Sequence, residues 1–151
     1  MRRLFSAPTV LLLLAHSSAF AQELSLRCVE GIYETSQVQG RGSDHKTKKT
    51  SPFTFGDITM KVAEGNCEVN FGTDLIFLPL IDFGETKLTC SEKKEHKRKH
   101  FTGAFTTKVI VDRFSGQLDY KYESLLKDKS GFVIKEMHKG NWRCQKAQKL
   151  F

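Results

Sequence analysis

The chain has 151 residues, with 24 Lys and Arg against 17 Asp and Glu and a formal net charge of +7. That length suits one domain, and beyond the N-terminal segment no apolar run reaches membrane-spanning length, which excludes a helical integral membrane protein. The positive excess keeps a small protein soluble and favours anionic partners such as lipid headgroups or polysaccharide phosphates.

Residues 1–21 have the plan of a secretory signal peptide. Arg2 and Arg3 precede an apolar run from Val10 to Ala15, and a small-x-small site follows at Ala19-Phe20-Ala21. Cleavage is expected before Gln22, leaving residues 22–151 as a single exported β domain. The leucine-rich core, with its arginine pair directly after Met1, favours ordinary secretion over the twin-arginine route. Cys28 follows Arg27 and lies beyond the polar Gln22-Glu23, which does not suit a lipid-anchored cysteine. A periplasmic or secreted protein is expected.

From there the pattern has the two-residue period of strands. Leu24, Leu26 and Cys28 alternate with polar residues, and Ile32-Tyr33 extends the segment. Residues 35–51 are polar, basic and glycine-bearing, and predict a long exposed loop. Phe53 and Phe55 share one face, while Ile58, Met60 and Val62 have the opposite parity. The switch at Gly56-Asp57 predicts a bulge or bend. Glu64-Gly65-Asn66 turns into Cys67, Val69 and Phe71, and Gly72-Thr73-Asp74 turns into the apolar run 75–81. Pro79 makes that run a buried or edge strand. Asp82-Phe83-Gly84 leads to Thr86, Leu88 and Cys90. The charged stretch 91–100 is the best helix candidate, although it has no apolar face. Thr107, Val109 and Val111 then run into Asp112-Arg113-Phe114-Ser115-Gly116, the sharpest hairpin signal in the chain. Leu118, Tyr120 and Tyr122 alternate beyond it, with a short helix allowed at 123–127. A turn at 127–131 precedes Phe132 and Ile134, and Trp142 and Cys144 follow Gly140-Asn141. The sum is about eight short strands, an all-β antiparallel barrel or sandwich.

Four cysteines, Cys28, Cys67, Cys90 and Cys144, follow the signal segment. An even count in an exported chain implies two disulfides, and the absence of Cys-x-x-Cys spacing argues against metal or redox chemistry. Spacing alone leaves three pairings open. The favoured one joins Cys28 to Cys144, tying the first strand to the last, and Cys67 to Cys90 within the central meander. Each bridge would contribute on the order of 3–4 kcal/mol.

The densest chemistry is a run of Lys93, Lys94, Lys97, Arg98 and Lys99 with His96 and His100, against Glu95 alone. Such a run suits phosphates or sulfates, and His45-Lys46-Thr47-Lys48-Lys49 would join it if folding brings the two together. The competing expectation is a solvated loop. Only Phe101 flanks the run for base stacking, so anionic lipid headgroups or surface polysaccharide are expected in preference to nucleic acid. His96 and His100 have helical spacing for a metal pair, but no carboxylate or cysteine completes it and three cations separate them. No Gly-x-Ser-x-Gly appears, and Asp57, Asp74, Asp82 and Asp112 all fall at turns. No enzyme, metal or cofactor is expected. Phe53, Phe55, Phe71, Phe77, Phe105 and Phe132 lie at or near strand parity. They are core fillers or, alternatively, they line a cavity for an apolar ligand, which would make the domain a small carrier. A terminal Phe151 can mark outer-membrane barrels, but Lys149, Ala147, Gln145 and Arg143 are too polar for a lipid face.

The segment Asp112-Arg113-Phe114-Ser115-Gly116-Gln117-Leu118, with Trp142-Arg143-Cys144 and the final Phe151, resembles a pattern in small exported bacterial proteins of unknown function. In them an Asp/Asn-Arg-x-Thr/Ser-Gly hairpin precedes a Gly-x-Cys ending. The likeness covers residues 112–151 and implies a compact β domain, without an activity. Periplasmic lysozyme inhibitors are also small disulfide-bonded β-barrels, but the basic charge here opposes a grip on a basic lysozyme.

Overall fold

The computed structural model describes residues 23–72 and 74–146. The expected signal peptide, residues 1–21, and Phe151 lie outside the described residues. Ten strands follow one another: β1 (Leu24–Arg41), β2 (Asp44–Lys49), β3 (Phe53–Phe55), β4 (Ile58–Ala63), β5 (Asn66–Asn70), β6 (Leu75–Phe83), β7 (Lys87–Lys97), β8 (Phe101–Asp112), β9 (Gln117–Asp128) and β10 (Phe132–Lys146). All pairings are antiparallel. The path β1-β4-β5-β6-β7-β8-β9-β10 returns to β1, closing an eight-stranded barrel. Of the two architectures expected, the barrel is the one formed. Along the β1 edge that meets β4, first β3 and then β2 pair further up.

Alternation fills the lower half of this barrel. Cys28, Met60, Val69, Leu88, Val109 and Leu118 point inward and are buried. Trp142 is fully buried among them and its Nε1 donates to the Gly56 carbonyl at 3.2 Å. A methyl group at Gly31 or Gly140 would lie 1.9 or 2.2 Å from the indole, so both positions exclude any side chain. Disulfides join Cys28 to Cys144 across the β1–β10 seam and Cys67 to Cys90.

The turns follow local chemistry. Glu64 and Gly65 both take positive φ (51° and 77°), the geometry of a two-residue hairpin turn. At the β8–β9 hairpin the Asp112 carboxylate accepts the N–H groups of Ser115 (2.9 Å) and Phe114 (3.0 Å). Arg113 lies over the Phe83 ring, 5.0 Å from its centroid, and donates to the Gly84 carbonyl at 2.7 Å. Gly116 has φ of 69°, and its carbonyl accepts the Cys144 N–H at 2.6 Å. The Asp-Arg-x-Ser-Gly motif therefore clamps three hairpin partners, the β6–β7 turn, its own turn and β10.

Hydrogen bonds from Ser115, backbone first, hold the Asp112 carboxyl below its ordinary range, and the Ser130 hydroxyl leads the same effect at Asp128. A depressed carboxyl stabilises the fold above its unfolded pKa of about 3.9 and loses that contribution as pH falls through the folded value. Unfolding free energy measured from about pH 5 down to about pH 2 should fall less steeply in Asp112→Asn/Asp128→Asn than in the parent. An identical acid limb would refute the assignment.

Three expected local structures are replaced by strands. Residues 35–49 form the upper part of β1 and its hairpin partner β2, turning at Gly42, and not a loop. Residues 91–97 extend β7, and 123–127 lie inside β9, so neither is helical. The cause is the same in each. These polar segments gain their backbone partners from neighbouring strands, so they need no apolar face of their own.

The consequence is a change of architecture with height. β6 meets β7 only from Leu80 to Phe83, whereas β7 meets β8 up to Lys97. Above the closed barrel a sheet of order β2-β1-β10-β9-β8-β7 continues alone, and among the described residues β2 leaves one edge unpaired and upper β7 the other.

Candidate functional site

Where the barrel gives way to the open sheet lies a cavity of about 490 Å³. Its walls are Tyr33 of β1, Phe55 of β3, Phe71 and Asp74 before β6, Leu75 and Ile76 of β6, Tyr120 and Tyr122 of β9, and Glu136 and His138 of β10. The rings interlock, with centroids 5.0 Å apart for Phe71–Tyr120, 5.3 Å for Tyr33–Phe55 and 5.2 Å for Tyr122–His138. Phe55 and Phe71 also meet Trp142 edge-on, at 5.9 and 5.8 Å. The floor of the cleft is thus the roof of the core.

A one-residue bulge brings Tyr33 to this wall. Val29 pairs with Arg143 and Ile32 with Asn141, and Glu30 takes φ of 56°. In a regular strand without the bulge, alternation would turn Tyr33 to the face opposite Cys28. The Tyr33 hydroxyl and His138 Nδ1 share a 2.8 Å hydrogen bond, and Gln37 Nε2 donates to Glu136 at 2.8 Å. Burial pushes both the Tyr33 and the Tyr120 phenols up, and the charge of Asp74 acts on each in the same direction.

The concave face continues from Tyr122 into a second hollow of about 270 Å³, lined with Glu92, Lys94, His96, Phe105 and Thr107. Ser124 sits between Phe105 and Glu136 in the ladder, buried, its hydroxyl without a hydrogen-bond partner among the described residues.

Of the phenylalanines expected to fill the core or line a cavity, Phe55 and Phe71 line the cleft and Phe105 the second hollow. Phe77 is exposed, and Phe132 lies at the sheet's upper end. The Phe53 side chain lies outside what is described. None of the other rings belongs to the fully buried interior, which aliphatic side chains, Met60, cysteines and Trp142 occupy instead. The run 75–81 is an inner strand that buries Leu78, leaves Phe77 and Ile81 exposed and puts the half-exposed Leu75 at the cleft wall.

The basic run is divided by strand alternation. Lys94 and His96 lie on the concave face, Lys93 and Lys97 on the outer one, and Arg98, Lys99 and His100 form the β7–β8 turn. Lys93 pairs with Glu95 (3.1 Å) and Lys94 with Glu92 (2.8 Å). Lys97, Arg98 and Lys99 make no ion pair among the described residues.

The β1–β2 and β9–β10 turns stand at the same end. Arg41 is opposite Phe132, Phe101 is opposite Asp128, and the Arg41 charge helps to lower the Asp128 pKa. This adds Arg41, Lys46, Lys127 and Lys129 to the tip, where the carboxylates are Asp44 and Asp128. Phe101 and Phe132 are exposed beside them. The gathering of Lys127 and Lys129 escaped sequence reasoning. Its only signal was that alternate turns of a meander share one end.

No protein-family model and no curated protein matches the chain. Among the described residues no group of three or more His, Cys, Asp or Glu could hold a metal ion, and no helix is long and apolar enough to cross a membrane. The two disulfides are compatible with a periplasmic or extracellular location.

Proposed function

We propose that this protein is an exported, non-enzymatic binding module that docks the tip of its open sheet onto anionic lipid headgroups of a cell envelope. The observation behind this reading is the convergence of three turns at one end. They carry Arg41, Lys46, Lys97, Arg98, Lys99, Lys127 and Lys129 against Asp44 and Asp128. Each such cation near an anionic bilayer is worth about 1 kcal/mol. Phe101 and Phe132 add apolar contact at headgroup depth. The β ladders set the three turns side by side, so little chain entropy is lost when they engage a surface together. The N-terminal signal pattern and the paired cysteines support an oxidising compartment where such a surface is available.

Co-sedimentation with vesicles tests the reading. Binding should be strong to phosphatidylglycerol in phosphatidylcholine, negligible to phosphatidylcholine alone, and reduced by added salt. Neutralising Lys97, Arg98 and Lys99 together should weaken it on the order of 100-fold with the fold intact. Equal retention on neutral vesicles, or unchanged binding by the triple variant, would overturn it.

A further inference from the structure

We infer that the aromatic cleft above Trp142 binds a small organic cation of the ammonium class. The site is independent of the cationic tip. Rings from four different places in the fold, Tyr33, Phe55, Phe71 and Tyr120, surround a space within the size range of small-molecule sites. Aromatic faces carry negative quadrupoles and attract cations. Two carboxylates, Asp74 from the segment before β6 and Glu136 from β10, complete the lining, and among the described residues no Lys or Arg is part of it. In a chain with 24 Lys and Arg, that sign reversal marks the cleft off from the rest of the surface. Burial leads the rise of the Tyr33 and Tyr120 phenols, and the charge of Asp74 adds to it at each. Gln37 holds one Glu136 oxygen and so fixes that carboxylate in place.

Ligand chemistry follows from the lining. An anion would be repelled by both carboxylates. A wholly apolar cargo would cover them with hydrocarbon, at the cost of their hydration. An ammonium group is attracted by the carboxylate charge and by the ring faces together, and its alkyl substituents pack on the aromatic walls.

The test compares choline with its uncharged isostere 3,3-dimethyl-1-butanol, by calorimetry and by the fluorescence of Trp142, the only tryptophan. Choline should bind saturably at millimolar concentration and the alcohol at least about ten-fold more weakly. Glu136→Gln, checked by thermal melting, should lose about ten-fold in choline affinity. Tyr122→Leu, which keeps the volume apolar but removes a ring, should weaken choline and leave the alcohol unchanged. Equal affinity for the two probes, absence of saturable choline binding, or full affinity in a folded Glu136→Gln would each overturn the assignment. Neither probe carries an anion, so these results are separable from vesicle binding at the tip.

Discussion

Trp142→Ala is expected to lower the unfolding free energy by about 3–5 kcal/mol. The side chain is fully buried, meets the rings of Tyr33, Phe55 and Phe71, and occupies space kept free of side chains at Gly31 and Gly140. Those two glycines cannot refill the hole, and the β ladders on either side resist collapse, so the cavity term stays close to its full size. The melting midpoint should drop on the order of 10–20 °C. Trp142→Phe keeps an aromatic ring but loses the donor to the Gly56 carbonyl, and should cost roughly half as much. A loss below about 1 kcal/mol in the alanine variant would mean that the indole is not the keystone of this core.

The second large effect concerns the seam. Cys28 and Cys144 face each other where β10 returns to β1, and their sequence separation is 116. On chain-entropy grounds Cys28→Ser/Cys144→Ser should cost about 4–5 kcal/mol. Cys67 and Cys90 are separated by 23 residues, and the corresponding pair of serines should cost only about 3 kcal/mol. Equilibrium denaturant unfolding of the two double variants ranks them directly. If the shorter loop proved the costlier loss, the account by restriction of the unfolded chain would fail.

Strand after strand of the closed barrel was legible because one face must be apolar. Leu26 and Cys28, Ile58 to Val62, and Val109 and Val111 announce themselves by parity. The upper sheet was not legible, because Thr47, Lys97 and Lys127 need no buried face when neighbouring strands supply their backbone partners. Local rules therefore read 35–51 as a loop and left 91–100 as the best helix candidate. The cleft was half legible. Phe55 and Phe71 stood out as aromatic strand residues, but their convergence with Tyr33 depends on a bulge at Glu30 that no local signal marks. The role of Glu136 and Asp74 was hidden for a related reason. Each is an unremarkable carboxylate until β10 and the segment before β6 come to line one cleft.

The open sheet has two margins, on β2 and on upper β7, whose N–H and C=O groups have no ladder on one side. Bare margins of this kind are templates for edge-to-edge aggregation. Here they are studded with Lys46, Lys48 and Lys49 on one side and Lys93, Lys94 and Lys97 on the other. A second copy approaching the β2 margin brings like charge against like, and the charged side chains of upper β7, paired as Lys93–Glu95 and Lys94–Glu92 beside Lys97, keep that margin hydrated, so the same lysines that crowd the sheet also discourage fibril growth from it.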